Sequence, residues 1–144
     1  MKPTALFSVG LLTAAFALPA AAATMLMQNA ALPQPKTEGD ITYLSGGIGK
    51  PESTAMKAEA RHYPLSMIFS GNKNNEYLAD VHVTIKDHTG KDVLSTVSEG
   101  PIMLVRLPAG NYTVIAEANG KSFKRSVHVQ AKGERQLSFH WAQV

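Results

Sequence analysis

The segment from Leu78 to Trp141 restricts the fold most, because short runs of alternating apolar and polar residues are separated there by turn residues. In the run 81–86, valine or isoleucine alternates with His82, Thr84 and Lys86. A period of two places all apolar side chains on one face of a strand. Runs of this kind recur about every eight to twelve residues. The pattern predicts an all-β fold, a seven-stranded antiparallel β-sandwich with one short N-terminal helix.

The first 23 residues have the features of a signal peptide. Lys2 supplies a positive charge, Ala5–Ala17 is apolar and uncharged, and the small residues Ala21–Ala23 follow Pro19. We expect residues 1–23 to be cleaved and the chain to reach a bacterial periplasm or the medium. The alternative is an uncleaved membrane anchor, because the apolar run is almost long enough to span a bilayer.

The rest of the chain is predicted to be a linker and one domain. Residues 24–40 include two closely spaced prolines and are expected to form a flexible linker. Residues 41–144 form the sandwich domain, with a helix at about 51–62 that begins at Pro51, ends before Pro64 and lies against a sheet. The chain has no cysteine, so its stability must come from core burial without disulfides.

The charge of the chain is small and uneven. The formal net charge of +3, or +2 once Lys2 is removed, is too low for a nucleic-acid binder. Most of the positive charge in the last two predicted strands belongs to Lys121, Lys124, Arg125, Lys132 and Arg135. This run could bind an anionic glycan or lipid head group. The interpretation that we favour is a solvated edge strand that its charges protect from aggregation.

Three motifs together suggest a family. Val81–Lys91 contains a strand and an Asp-x-x-Gly turn, and Leu107–Val114 contains Leu-Pro-Ala-Gly-Asn-Tyr. The third motif, Val127–Val129, lies in a later predicted strand. This arrangement resembles the carboxypeptidase regulatory-like domain, a transthyretin-like (prealbumin-like) seven-stranded sandwich. The resemblance covers about Leu78 to Phe139 and implies a non-catalytic accessory role. Two segments depart from the family pattern, the short Val97–Pro101 turn and Gly46–Gly49 with its helix.

The glycine-rich segment Gly46-Gly47-Ile48-Gly49-Lys50 resembles a phosphate-binding loop only in part. That motif requires glycine at position 44 and serine or threonine at position 51, where this chain has Leu44 and Pro51. We therefore interpret Gly46, Gly47 and Gly49 as a structural turn.

No catalytic or cofactor site is predicted. The carboxylates are scattered over turns and outward faces, and no Ser-His-Asp arrangement is evident, so we expect the protein not to be an enzyme and to need no cofactor. His82, His128 and His140 are candidates for metal ligands, because three outward imidazoles on neighbouring strands could bind an ion. They are weak candidates, because they lie on different strands and have no close spacing in sequence.

Five further residues are predicted to be structural. Gly90 is expected at a hairpin turn. Pro108 and Gly110 form another turn, in which Gly110 is expected to have positive φ and Tyr112 is expected to be buried. Trp141 shares the parity of Leu137 and Phe139 and is assigned to the core instead of to a carbohydrate-stacking surface.

The predicted function is a non-catalytic exported module for protein interaction or envelope structure. One alternative is a domain that binds carbohydrate or an envelope polymer through the loops at one end of the sandwich. The other is a periplasmic metal-binding protein. The expected partner is another envelope protein or a polymer, with no nucleic acid and no membrane span after cleavage of the signal peptide.

Overall fold

The computed structural model describes residues 32–71 and 76–142. Within them it contains ten strands, one α-helix and one 3-10 turn. In chain order the elements are β1 (Lys36–Glu38), β2 (Ile41–Gly46), α1 (Lys50–Glu59), the 3-10 turn (Ala60–His62), β3 (Leu65–Gly71), β4 (Glu76–Tyr77), β5 (Val81–Lys86), β6 (Asp92–Ser98), β7 (Ile102–Arg106), β8 (Gly110–Ala118), β9 (Lys121–Val129) and β10 (Arg135–Trp141).

The strands form two sheets that face each other, which confirms the predicted β-sandwich. Sheet A has the order β1-β2-β7-β3-β10, with β4 also paired to β3, and sheet B has the order β6-β5-β8-β9. One border of the sandwich has β1 and β6, which a hydrogen bond from the Ser95 N–H to Glu38 joins, and the other has β9 and β10, which a hydrogen bond from Arg135 to the His128 carbonyl joins.

The predicted strand number of seven is wrong. Nine of the described strands have three or more residues and β4 has two. The strands β1 and β4 are too short for an alternating pattern to be recognised. β1 also lies within residues 24–40, which were expected to be a flexible linker. Residues 24–31 of that segment lie outside the described residues, as does the predicted signal peptide at 1–23.

The sandwich is also not wholly antiparallel, because β10 pairs with β3 in parallel. The chain leaves β9 in sheet B, crosses the border and enters sheet A in the same direction as β3. Parallel neighbours need such a crossover, and they are far apart in sequence. The alternation within each strand therefore could not reveal this pairing.

The core lies between the sheets and consists of the inward residues of each alternating strand. Its aromatic centre is Phe69, Phe139 and Trp141, each fully buried, with ring centroids 5.8 to 6.3 Å apart. The indole nitrogen of Trp141 donates to the Lys121 carbonyl at 2.9 Å, so the polar atom of the ring has a partner. Trp141 is thus a core residue, as its parity predicted.

The helix α1 covers the outer face of sheet A. Met56 of α1 is fully buried in a second cluster with Leu44, Ile102 and Leu104 of β2 and β7. A ten-residue helix is marginal in water by itself. Burial of Met56 contributes about 2 kcal/mol, which helps to hold the helix on the sheet. Part of sheet A is therefore buried on both faces.

Candidate functional site

The glycine segment before α1 is in close contact with the Glu52 side chain of the helix. Gly46 ends β2 in register with Ile102, and the Gly47 N–H donates to the Glu52 carboxylate at 2.8 Å. A Cβ on Gly46 would lie 2.2 Å from Glu52 Oε1. Gly47 and Gly49 have φ of 94° and 81°, values that favour glycine. The group at the start of the helix is thus the chain's own carboxylate.

The β6–β7 turn packs directly on this glycine segment. A Cβ on Gly100 would lie 2.2 Å from the Gly46 carbonyl oxygen. The Glu99 N–H donates to Ser45 Oγ at 2.7 Å, and the hydroxyls of Ser45 and Ser98 lie 3.3 Å apart. Ser98 also donates to the Gly100 carbonyl. Gly46–Gly49 and Val97–Pro101, the two segments that depart from the carboxypeptidase regulatory-like pattern, therefore pack against each other.

The Tyr112 side chain joins the β7–β8 turn to the strand that follows it. Its ring is buried in the core, and its hydroxyl donates to the Pro108 carbonyl at 2.7 Å. Burial raises the pKa of the Tyr112 phenol, and the charge of Asp87 adds to this effect. The expectation of positive φ at Gly110 is wrong, because Gly110 is the first residue of β8 and lies outside the left-handed region.

The structure does not bring the three candidate histidines together. His140 lies on β10 in sheet A. His82 on β5 and His128 on β9 are in sheet B but are separated by β8, where they pair with Glu117 and Asn111 at opposite ends of that strand. Within residues 32–71 and 76–142, no three metal-ligating side chains are grouped to hold an ion.

A cleft of about 570 Å³ lies at one end of the sandwich, between loops 38–40, 87–92 and 108–112. Asp87 within it accepts hydrogen bonds from the Thr89 N–H, the Thr89 hydroxyl and the Lys91 N–H, and the Thr89 hydroxyl is the main reason that the pKa of Asp87 is lowered. Glu38 accepts from the Ser95 N–H at 3.0 Å. These carboxylates hold the loops in place.

The two borders of the sandwich differ in charge pairing. At the β1/β6 border, Lys36 binds Glu99, a hydrogen bond that raises the pKa of the Lys36 amino group. Lys86 of β5 binds Asp92 of β6 at 2.6 Å. These two pairs are the salt bridges found in the described ranges. At this border, charges of opposite sign neutralise each other.

The opposite border carries five exposed cations, and we call it the basic edge. Its members are Lys121, Lys124, Arg125, Lys132 and Arg135. In the described structure none of them lies within 4 Å of a carboxylate oxygen. β9 is an edge strand of sheet B. This position agrees with our interpretation of the charged residues as part of a solvated edge strand.

Aromatic rings and a carbonyl contact three of these cations. Lys121 Nζ lies 5.7 Å from the Phe123 ring centroid. The Arg125 guanidinium lies 5.9 Å from the Phe123 ring centroid and 5.7 Å from that of Phe139. Arg135 Nε donates to the His128 carbonyl at 3.3 Å. Such contacts orient a guanidinium while it keeps its charge. The charge run was visible in the sequence, but these contacts between β9 and β10 were not.

Among the described residues, none of the helices is long and apolar enough to cross a bilayer. Taken together, the fold is a small β-sandwich covered by one helix, with the buried hydroxyls of Ser45 and Ser98 engaged in structural hydrogen bonds. Residues 66–139, half of the chain, match the family model of the Rhizobiales growth-associated tandem repeat domain. The chain belongs to this family.

Two solved structures show distant similarity, and a search of curated proteins finds no match. BcpA, the major pilin subunit of Bacillus cereus, aligns over 54% of this chain and 27% of its own length, with 17% identity and a TM-score of 0.41. The Bacillus anthracis TIE protein aligns over 54% of this chain and 16% of its own, with 17% identity and a TM-score of 0.38. The chain thus spans about a quarter of the pilin subunit.

Proposed function

We propose that this chain is exported and acts as a non-catalytic binding or structural module of the cell envelope. The observation that carries the proposal is how its buried and half-buried polar groups are used. Ser45, Ser98 and Glu52 bind backbone groups at the junction of β2 with the β6–β7 turn, and Tyr112 binds the turn that precedes it. Each of these groups stabilises the fold, so we assign the function to the surface.

Membership in the growth-associated family supports a role in growth. The resemblance to carboxypeptidase regulatory-like domains supports a non-catalytic accessory role, since those domains act beside other proteins. The amino-terminal features support export by a cleaved signal peptide to the periplasm or the medium.

The test is complementation in cells that lack the gene. The full chain should restore the growth rate, be recovered from the envelope fraction and begin near residue 24. A chain that starts at residue 24 without the leader should not restore growth. Rescue by the leaderless chain, or recovery of the unprocessed chain from the cytoplasm, would contradict the proposal.

A second candidate, binding of an envelope polymer, is favoured by the unpaired charges of the basic edge. Metal binding is not proposed, because His82, His128 and His140 lie apart.

A further inference from the structure

We infer that the basic edge binds a linear acidic polysaccharide whose carboxylates pair with its lysine and arginine side chains. This inference rests on the proposed function, since it names the partner of a module that acts in the envelope. Four features of the β9/β10 border carry it: its charge, its shape, its hydrogen-bonding groups and its lack of apolar anchors.

The charge at this border is not compensated by the fold. From residue 121 to residue 135 the chain has five cations and one acid, Glu134. The two salt bridges of the described residues both lie at the opposite border. Like charges that the protein brings together without partners repel each other, so an anionic ligand gains from neutralising them.

The shape of the basic edge is a line. β9 has nine residues and is about 30 Å long. Lys121, Lys124 and Arg125 lie along it, Lys132 lies in the turn that follows, and Arg135 is the first residue of β10. Lys124 lies on the outer face of sheet B, whereas Lys121 and Arg125 share the parity of the buried Val127 and Val129. β9 is an edge strand, so an extended chain with repeated negative charges that follows the edge can reach side chains of both faces.

The outward side chains of β9 suit a sugar polymer. Ser122, Ser126 and His128 are exposed and share the parity of Lys124, so hydroxyl and imidazole groups alternate with an ammonium group on that face. Hydroxyl-rich ligands need such donors and acceptors beside the cations that bind their carboxylates. Asn111 holds the His128 ring through a 2.7 Å contact between Oδ1 and Nδ1.

Within the described residues 121–135, the basic edge has no large exposed apolar side chain to strengthen membrane binding, because its one aromatic ring, Phe123, is partly buried and packs against the core. The large exposed apolar side chains in the described part of the chain are Ile48, Tyr77 and Val97, which lie before α1, on β4 and on β6. Amphipathic membrane-binding surfaces place aromatic or aliphatic side chains beside their cations. We therefore assign a polymer and not a lipid surface.

The test is titration of the purified chain, processed as the cell processes it, with polygalacturonate, a sugar polymer that carries one carboxylate per residue. The variant pair is Lys124→Glu with Lys132→Glu. The control pair is Lys50→Glu with Lys91→Glu, which changes the net charge equally but lies away from the basic edge. Position 50 opens α1, where a carboxylate is favourable.

We expect the wild type to bind polygalacturonate, to bind more weakly as salt is added and not to bind neutral dextran. The edge variant should lose about tenfold or more in affinity, and the control should change by less than about twofold. Thermal melts show whether each variant folds, and if the edge pair does not, Lys124→Gln alone should weaken binding by about threefold.

Three results would overturn the inference: no binding of polygalacturonate, equal losses in the edge and control variants, or tighter binding to phosphatidylglycerol vesicles than to the polymer. The two proposals fail separately. A chain that is exported and restores growth but does not bind the polymer refutes this inference alone. A chain that binds the polymer but stays in the cytoplasm refutes the proposed function.

Discussion

Replacement of Gly100 by alanine should destabilise the protein strongly, although local backbone preference predicts the opposite. The φ of Gly100 lies outside the left-handed region, so alanine is compatible with its backbone. At such a position the loss of unfolded-state entropy alone would stabilise the protein by about 0.4–1 kcal/mol. Packing of the new side chain against β2 should outweigh this gain, so that Gly100→Ala lowers the free energy of unfolding.

The magnitude follows from the contact between the β6–β7 turn and the end of β2. The new Cβ would lie 2.2 Å from the Gly46 carbonyl oxygen and 2.5 Å from its carbonyl carbon, and neither backbone atom can rotate away. The turn must move out by about 1 Å, which breaks the Glu99 N–H bond to Ser45 and the Ser45–Ser98 contact. At about 1 kcal/mol each, with about 1–3 kcal/mol for overpacking and the entropic gain of about 0.4–1 kcal/mol subtracted, the net cost is about 2–4.5 kcal/mol.

Equilibrium unfolding in urea measures this loss, with Gly133→Ala as the matched control. Gly133 has φ of 108°, and its nearest atom would be Gln130 Oε1 at 3.6 Å from a Cβ. Its replacement should therefore cost only the backbone strain of about 1–2 kcal/mol. A Gly100→Ala protein as stable as the wild type, or more stable, would refute the contact between the two segments.

Three further predictions concern the end of the sandwich near the β7–β8 turn. Tyr112→Ala should lose about 3–5 kcal/mol of unfolding free energy, and Tyr112→Phe about 1 kcal/mol through the bond to Pro108; a loss under about 1 kcal/mol for alanine would disprove its burial. The folded-state pKa of Asp87 is lowered, so its contribution to stability is present above about pH 4 and disappears as the pH falls through the lower folded value. The unfolding free energies of the wild type and Asp87→Asn should thus converge as the pH falls. A difference between the two free energies that widens below about pH 4 would be inconsistent with this. Gly133→Val should cost more than Gly110→Val, since only Gly133 has positive φ; the reverse order in thermal melts would contradict the backbone geometry.

Local alternation and turn chemistry predicted the features that depend on neighbours in sequence. The run Val81–Lys86 forms β5 with the expected faces. Asn119 and Gly120 have φ of 51° and 76° and form the β8–β9 hairpin, a geometry that an Asn-Gly pair between two strands favours. In these cases the residues that determine the geometry are adjacent in the chain.

The features that the sequence did not reveal depend on contacts between distant segments. Gly46 and Gly100 each looked like an isolated departure from the family pattern, and only the folded chain shows that one makes room for the other. The prediction of positive φ at Gly110 is wrong because Gly110 is already the first residue of β8, so the turn ends before it. For the candidate site, the charges at residues 121–135 were visible, but not the aromatic rings that hold Arg125.

The account depends most on the strand order that puts β9 and β10 at one border, and therefore on the parallel pairing of β10 with β3. The chain has no cysteine, so two introduced thiols can be tested without interference. Ser70 and His140 are register partners, whereas an antiparallel pairing about Ile68 and Ser138 would instead align Ser70 with Gln136.

The direct measurement is disulfide formation in the folded protein, read by mass spectrometry after mild oxidation. Ser70→Cys with His140→Cys should cross-link, since adjacent strands lie about 4.8 Å apart. Ser70→Cys with Gln136→Cys should not, because four residues of strand separate the sites by about 13 Å. Cross-linking of the second pair in place of the first would contradict the parallel pairing, and with it the border that carries the basic edge.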